Sequence, residues 1–306
     1  MDMTNIINQM LILFLMIVVG YITGRCNVFD EDSNKVMSRV VIYVANPALM
    51  LNTVTSGQIT GTKLHTLYVI GVGTLYFILV PIFVKVIIHV VPFFKKERSV
   101  YEAMLIFTNL GFMGIPVINA IYGAGAIFYL GIFFIPFNLL VYTYGVLLLS
   151  NETAGGKMDL KKAINPVSVA AVITMVLYFL DIKTPVVVNE TVSILGSITT
   201  PLAMVTIGSN LALVPLKHVF FDWRMYAFAV IKMIALPLLA FFVFRFVVKD
   251  AVLLGIIMIV TAMPTASNIT LLCNELGSDG ALVAKGTFIG TIASLASIPL
   301  LVGMLL

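Results

Sequence analysis

The chain has 306 residues, of which 60% are hydrophobic and 10% charged, with 18 Lys and Arg against 14 Asp and Glu; its mean hydropathy is +1.10. A soluble globular domain carries about 25% charged residues, so this chain cannot clothe a water-facing surface, and a soluble enzyme or binding module is excluded. The net charge of +4 is too small and too scattered for nucleic-acid binding, and the long unbroken apolar runs exclude a transmembrane β-barrel, whose strands alternate with period two.

A bilayer core about 30 Å thick takes about 20 apolar residues per helical span. Ten apolar segments follow in chain order, at residues 5–24, 36–54, 64–89, 101–122, 125–149, 165–181, 191–213, 225–248, 251–274 and 281–305. Segment one is not a signal peptide, because no basic region precedes it and its apolar stretch is too long; Gly20 and Gly24 suit close helix packing. Segment two contains Asn46-Pro47, segment three Pro81 and segment five Asn138. Segment four reads Thr108-Asn109-Leu110-Gly111-Phe112-Met113-Gly114-Ile115-Pro116, and its two glycines and proline make a poor continuous helix. Segment seven contains Thr200-Pro201, segment eight Lys232 and Pro237, and segment nine the polar run Pro264-Thr265-Ala266-Ser267-Asn268-Ile269-Thr270.

Lys and Arg fall unevenly on the connections. Arg25, Lys35, Arg39, Lys85, Lys95, Lys96, Arg98, Lys157, Lys161, Lys162, Lys217, Arg224 and Lys285 lie on one side, thirteen in all; Lys63, Lys183, Arg245 and Lys249, four in all, lie on the other. The positive-inside rule then puts both termini outside the cell membrane. Cys26 and Cys273 fall near the cytoplasmic face and follow no metal-ligand spacing, so neither a disulfide nor a metal site is expected, and no cofactor is implied.

The polar stretch at 151–164 divides the chain into a first five-helix repeat at 1–150 and a second at 165–306. An odd number of helices per half inverts the second half in the membrane. Three markers repeat in order: Pro47 and Pro201 lie 154 positions apart, Pro81 and Pro237 lie 156 apart, and Thr108 and Thr261 lie 153 apart. The expected fold is therefore all-α and polytopic, with ten transmembrane helices in two inverted five-helix repeats and interrupted segments four and nine. Unpaired backbone groups in lipid cost several kcal/mol each, so such breaks survive only when buried in protein or lining a cavity. Interrupted helices at corresponding positions of inverted repeats point to a transporter's midplane site.

No Asp or Glu falls near the middle of a span; the deepest is Glu102, at the cytoplasmic start of segment four. A cation antiporter needs a membrane carboxylate, and this pattern argues against one. The central groups are neutral and hydrogen-bonding: Asn109, Asn138, Ser267, Asn268 and the N–H groups of each second half-helix, whose dipoles favour an anion. Lys232 is the one basic residue inside a span. It either snorkels to the interface, adds positive potential beside the site, or pairs with a carbonyl of a broken helix. No catalytic pair at depth and no zinc motif is present, which argues against an intramembrane enzyme.

These residues resemble the auxin efflux carrier family, which includes plant auxin carriers and bacterial malate and malonate permeases. The resemblance spans nearly the whole chain and rests on Asn46-Pro47, the run from Asn109 to Pro116, Asn138 with Tyr142 and Gly145, Asn165-Pro166, Pro201 with Gly208, Lys232 with Pro237, and Met263-Pro264-Thr265-Ala266. It implies that segments four and nine cross at their breaks. It also implies a scaffold of segments one, two, six and seven, a mobile domain of the others, a homodimer, and elevator-type alternating access. Asparagines at the segment-four crossover and in segment five would hold the substrate carboxylate, and these carry over to Asn109 and Asn138. Plant members have a second proline in the segment-nine break, where this chain reads Ser267-Asn268-Ile269, and a long cytoplasmic loop where this chain has a short linker. The candidate binding set is Asn46, Asn109, Gly111, Gly114, Pro116, Asn138, Lys232, Pro264, Thr265, Ser267 and Asn268. The expected partners are a small organic anion, the lipid bilayer and a second copy of the chain, with a non-transporting receptor on the same fold as the alternative.

Overall fold

The computed structural model describes residues 3–56, 62–94, 97–150, 166–213 and 222–305, without the side chains of 3–7, 9, 10, 31, 167, 168, 267, 268, 271, 274 and 275. The expected linker at 151–164 lies outside the described residues. Regular structure among the described residues is helical, with one isolated antiparallel bridge. The helices are α1 (Met3–Arg25), α2 (Glu31–Val40), α3 (Asn46–Thr55), α4 (Lys63–Val90), α5 (Arg98–Ile106), α6 (Ile115–Tyr122), α7 (Ala124–Leu140), α8 (Val146–Ser150), α9 (Pro166–Phe179), α10 (Val186–Ser197), α11 (Thr199–Leu213), α12 (Trp223–Val230), α13 (Leu236–Phe244), α14 (Ala251–Thr261), α15 (Ser267–Leu276) and α16 (Gly280–Leu305).

Each expected apolar segment is helical, but hydropathy misplaces two starts. Segment two begins at Glu31, where the Asp30 carboxylate caps the first turn by accepting from the Ser33 N–H at 2.8 Å. Segment seven begins at Val186, just after Pro185, so the polar Asn189 and Glu190 lie inside the helix. Five stretches are long and apolar enough to cross a bilayer: Lys63–Val90, Ala124–Ser150, Val186–Leu213, Trp223–Phe244 and Gly280–Leu305. Shorter apolar helices accompany them, so the chain is an all-helical, multi-pass membrane protein.

Wide π turns interrupt the helical ladder at Val41–Ala45, Leu110–Gly114, Val141–Gly145 and Ile231–Ala235. The Asn46 N–H reaches back five residues to the Val41 carbonyl, and the Leu236 N–H to that of Ile231. Three of these turns end two residues before a proline, at Pro47, Pro116 and Pro237. A proline ring clashes with the carbonyl four residues earlier and cannot donate to it. Here those carbonyls belong to Tyr43, Phe112 and Met233, each inside a π turn, whose extra residue makes room for the ring.

The chain forms two compact units, each assembled from both halves of the sequence. The first comprises Met1–Ile70, Leu110–Ile135 and Ile164–Val214. It contains segments one, two, six and seven together with the start of segment three, the second half of segment four and the start of segment five. Its core is the close packing of α1 on α11. A Cβ on Gly208 would stand 1.9 Å from the Ile17 carbonyl oxygen, and one on Gly20 would stand 2.1 Å from that of Val205. The two backbones therefore touch, which only small residues permit. In the same unit Gly196 of α10 lies on the α3 backbone, 2.8 Å from the Leu49 Cα by the same measure.

The second unit comprises Gly71–Asn109, Pro136–Ala163 and Pro215–Leu306. Its centre is α5 with the extended residues that follow it. Gly286 and Gly290 of α16 give space there to the side chains of Met104 and Pro264. Tyr76 of α4 shares a 3.0 Å hydrogen bond with the Thr261 hydroxyl at the end of α14. Phe94, Tyr101 and Phe228 pack ring on ring at the unit's other end.

Candidate functional site

The two interruptions meet inside the second unit. Helix α5 stops at Ile106, and Phe107 turns extended (φ −89°, ψ 108°). Helix α14 stops at Thr261, and α15 restarts at Ser267 after an extended Ala266 (φ −66°, ψ 133°). Between these ends the chains pair as a single antiparallel bridge, Thr108 opposite Thr265. The Asn109 N–H donates to the Pro264 carbonyl at 2.8 Å, and the Ala266 N–H donates to the Phe107 carbonyl at 3.0 Å. Main-chain groups that the breaks would strand in an apolar medium thus satisfy one another.

The break in segment four lies earlier than its sequence implies. Gly111, Gly114 and Pro116 belong to a π turn and the first turn of α6, so that run stays helical. The residues outside helix are Phe107, Thr108 and Asn109, bridged to the stretch from Pro264 to Ala266. Glycine and proline mark the wide turn behind the break.

Side chains complete the closure. The last carbonyls of α5 lack helical donors. Thr265, fully buried, donates its hydroxyl to the Met104 carbonyl at 3.1 Å. Lys232, also fully buried, donates from Nζ to the Leu105 carbonyl at 2.5 Å. The lysine therefore does not reach for the interface; it sits at the negative end of the interrupted helix, where a cation is favoured. Its π turn, Ile231–Ala235, places it there. Lys232 has no acidic partner within ion-pair distance among the described residues, and its two remaining N–H donors have no partner among them. The Thr108 hydroxyl, 1% exposed, is also without a partner.

Segment five comes beside the break through aromatic packing. The Phe107 ring sits against Gly145, where a Cβ would lie 3.0 Å from it, and edge-on to Phe137 at 6.2 Å between centroids. Asn138 follows Phe137 and is buried, as is Asn109. One turn of helix before the break, Glu102 is buried and accepts a hydrogen bond from the Tyr144 hydroxyl, with the Lys85 ammonium 5.2 Å from the centre of the Tyr144 ring. No spacing signal links Tyr144 to Glu102, 42 positions apart.

The candidate residues thus fall into two groups. Asn109, Asn138, Lys232, Pro264 and Thr265 belong to the second unit. Ser267 and Asn268 open α15 in that unit, and their side chains lie outside the described ones. Asn46, Gly111, Gly114 and Pro116 belong to the first unit, where the Asn46 Nδ2 lies 3.3 Å from the place a Gly111 Cβ would take, and the Asn46 Oδ1 has no partner.

Apolar helices with two interruptions paired at buried positions describe a multi-pass membrane protein. The family described as "Membrane transport protein" matches residues 5–160 and 155–302, and the chain belongs to this family, that of the auxin efflux carriers. It is 25% identical over 303 residues to an "Uncharacterized transporter" of Methanocaldococcus jannaschii, covering 95% of this chain and 96% of that protein. It is 24% identical over 229 residues to the "Uncharacterized transporter YfdV" of Escherichia coli K12, covering 69% and 70%. It is 21% identical over 312 residues to a "Putative malonate transporter" of Rhizobium meliloti, covering 97% and 94%.

Proposed function

We propose that this protein is a secondary transporter of small organic anions, carboxylates of the size of malate, malonate or an indole acid. The observation that carries the reading is Lys232: a fully buried amine with one carbonyl partner and no acidic partner among the described residues. Leaving a buried charge unpaired costs several kcal/mol, and a bound carboxylate at the break would offset that. The Asn109 and Asn138 amides and the first turn of α15, which no side chain caps, would add donors. The relative named for malonate has the same chemical class in its name.

The proposed architecture has ten spans in two inverted repeats, 1–150 and 165–306, in a homodimer. Both termini would face the outside of the cell membrane. Alternating access would be of the elevator type, with the second unit carrying the anion. Each net negative charge leaving the cell down 100 mV gains about 2.3 kcal/mol, enough to drive export without a bound cation. The test is counterflow of labelled malonate and malate in proteoliposomes. Accumulation against an unlabelled internal pool supports transport. Saturable binding with no counterflow makes the protein a receptor on the same fold, and neither binding nor counterflow for any carboxylate overturns the reading.

A further inference from the structure

Charge at the break narrows which ionic form of the anion fits. Among the described residues Lys232 is the only cationic side chain that is buried. The other buried ionisable group near α5, Glu102, is negative when ionised and is turned to Tyr144. Arg224, the nearest described arginine in sequence, is engaged by Asp222 and Glu97 in a part-exposed cluster. A ligand at the break therefore meets at most one positive charge, that of Lys232, with the N–H donors its Nζ does not give to Leu105 and the unpartnered Thr108 hydroxyl. One carboxylate matches this set. A second carboxylate charge would be buried without a cation, and half-helix N-termini offer only a partial charge to meet it.

We infer that the site accepts one net negative charge, so that the bound and transported species is a monoanion: a monocarboxylate, or a dicarboxylate carrying one proton. The inference rests on the anion-transporter reading above and adds the charge state of the substrate.

The test measures binding of malonate, succinate and malate, each beside its monomethyl ester, to the full chain in detergent between pH 5 and pH 8. The ester carries one charge throughout, so its own pH profile reports the titration of the protein's groups. The expected result is that each dicarboxylate loses about tenfold in affinity relative to its ester for every pH unit above its second ionisation, as its singly charged fraction shrinks. A dicarboxylate that holds its affinity relative to the ester at pH 8 overturns the inference while leaving anion transport standing. Absence of binding by every member of every pair overturns both. Lys232→Met keeps a chain of similar length without the charge and is expected to lose the ester as well as the acid. Retained ester affinity in that variant removes Lys232 as the countercharge and overturns the inference. If the variant does not fold, the paired measurement on the native chain decides alone.

Discussion

Thr265→Val tests whether side chains from one interrupted segment hold the other open. Valine has nearly the shape of threonine, so the substitution trades a hydroxyl for a methyl with little change in packing. The hydroxyl donates to the Met104 carbonyl at 3.1 Å in a fully buried position. That carbonyl lies in the last turn of α5, which ends at Ile106, and has no helical donor to fall back on. A buried acceptor left unpaired costs about 1–3 kcal/mol in soluble proteins. Hydrogen bonds between membrane helices average about 0.6 kcal/mol and reach about 1.7, because a loosened helix often finds another partner. Here the neighbouring groups are pinned by the Asn109–Pro264 and Ala266–Phe107 pairs and by Lys232. The stranded carbonyl cannot rotate toward a new donor, so the cost should lie near the upper membrane value, about 1–2 kcal/mol. Reversible unfolding in mixed micelles measures it, with Thr265→Ala beside it to report loss of the methyl as well. A valine variant within about 0.3 kcal/mol of the native chain would refute the argument that this hydroxyl closes the break.

Asn109→Asp should weaken anion binding by about 2–4 kcal/mol, because it adds a negative charge and removes two donors, while Asn109→Ala should cost about 1–2 kcal/mol. Both leave the main-chain bond to Pro264 intact, so equal binding losses in the two variants, measured by calorimetry, would exclude the side chain as a substrate ligand. Gly208→Ala drives a Cβ to within 1.9 Å of the Ile17 carbonyl oxygen and 2.7 Å of the Tyr21 nitrogen; backbone atoms cannot step aside, so α1 and α11 must separate, at a cost of about 1–3 kcal/mol or more, read as a lower thermal midpoint. Asp222 caps α12 by accepting from the Arg224 N–H at 3.1 Å, and Asp222→Ala should cost about 1 kcal/mol at neutral pH. Burial pushes the Asp222 carboxyl up, but hydrogen bonds and charge from Arg224 outweigh it and hold it below its ordinary 3.8; a lowered folded value means the contribution is complete above about pH 4 and disappears as pH falls through it. The stability gap between native and variant should therefore narrow as pH falls below about 4, and a gap that does not change with pH would contradict this.

Much of this architecture is written locally. Apolar length marks the helical segments, five of which are long enough to cross a bilayer by themselves. The small residues Gly20 and Gly24 declare a packing face one turn long. Pairing across the chain is not written locally. Lys232 and the Leu105 carbonyl are 127 positions apart, and Thr265 and Met104 are 161 apart; nothing near either residue names its partner. The segment-four break was misplaced for the same reason. Gly111, Gly114 and Pro116 carry an intrinsic conformational signal, whereas Phe107, Thr108 and Asn109 have none and are extended because Pro264, Thr265 and Ala266 pair with them. The two units were likewise illegible as residue ranges, since their boundaries at Ile70 and Ile135 fall inside segments that read as continuous.

What the break leaves over bears on what it can hold. Acceptors there are largely taken: the Met104 carbonyl by Thr265, that of Leu105 by Lys232, that of Phe107 by Ala266 and that of Pro264 by Asn109. The groups left over can donate: two N–H bonds of Lys232, the Thr108 hydroxyl and the uncapped first turn of α15. A protein that needed only a stable crossing could fill these positions with apolar side chains at no loss, because a buried polar group without a partner is itself destabilising. An excess of unmet donors is the complement of a ligand made mostly of acceptors, and among small metabolite groups a carboxylate answers that description while a cation or a neutral hydrocarbon does not. The same excess predicts the order of stability. Ligand-free protein should gain from Lys232→Met wherever the ammonium's burial outweighs its single bond to Leu105, and the native chain should overtake it only when the anion is present. Thermal midpoints of both proteins, with and without a binding monocarboxylate, measure the crossing directly; a native chain more stable than the variant by the same margin in both conditions would assign Lys232 to the fold alone.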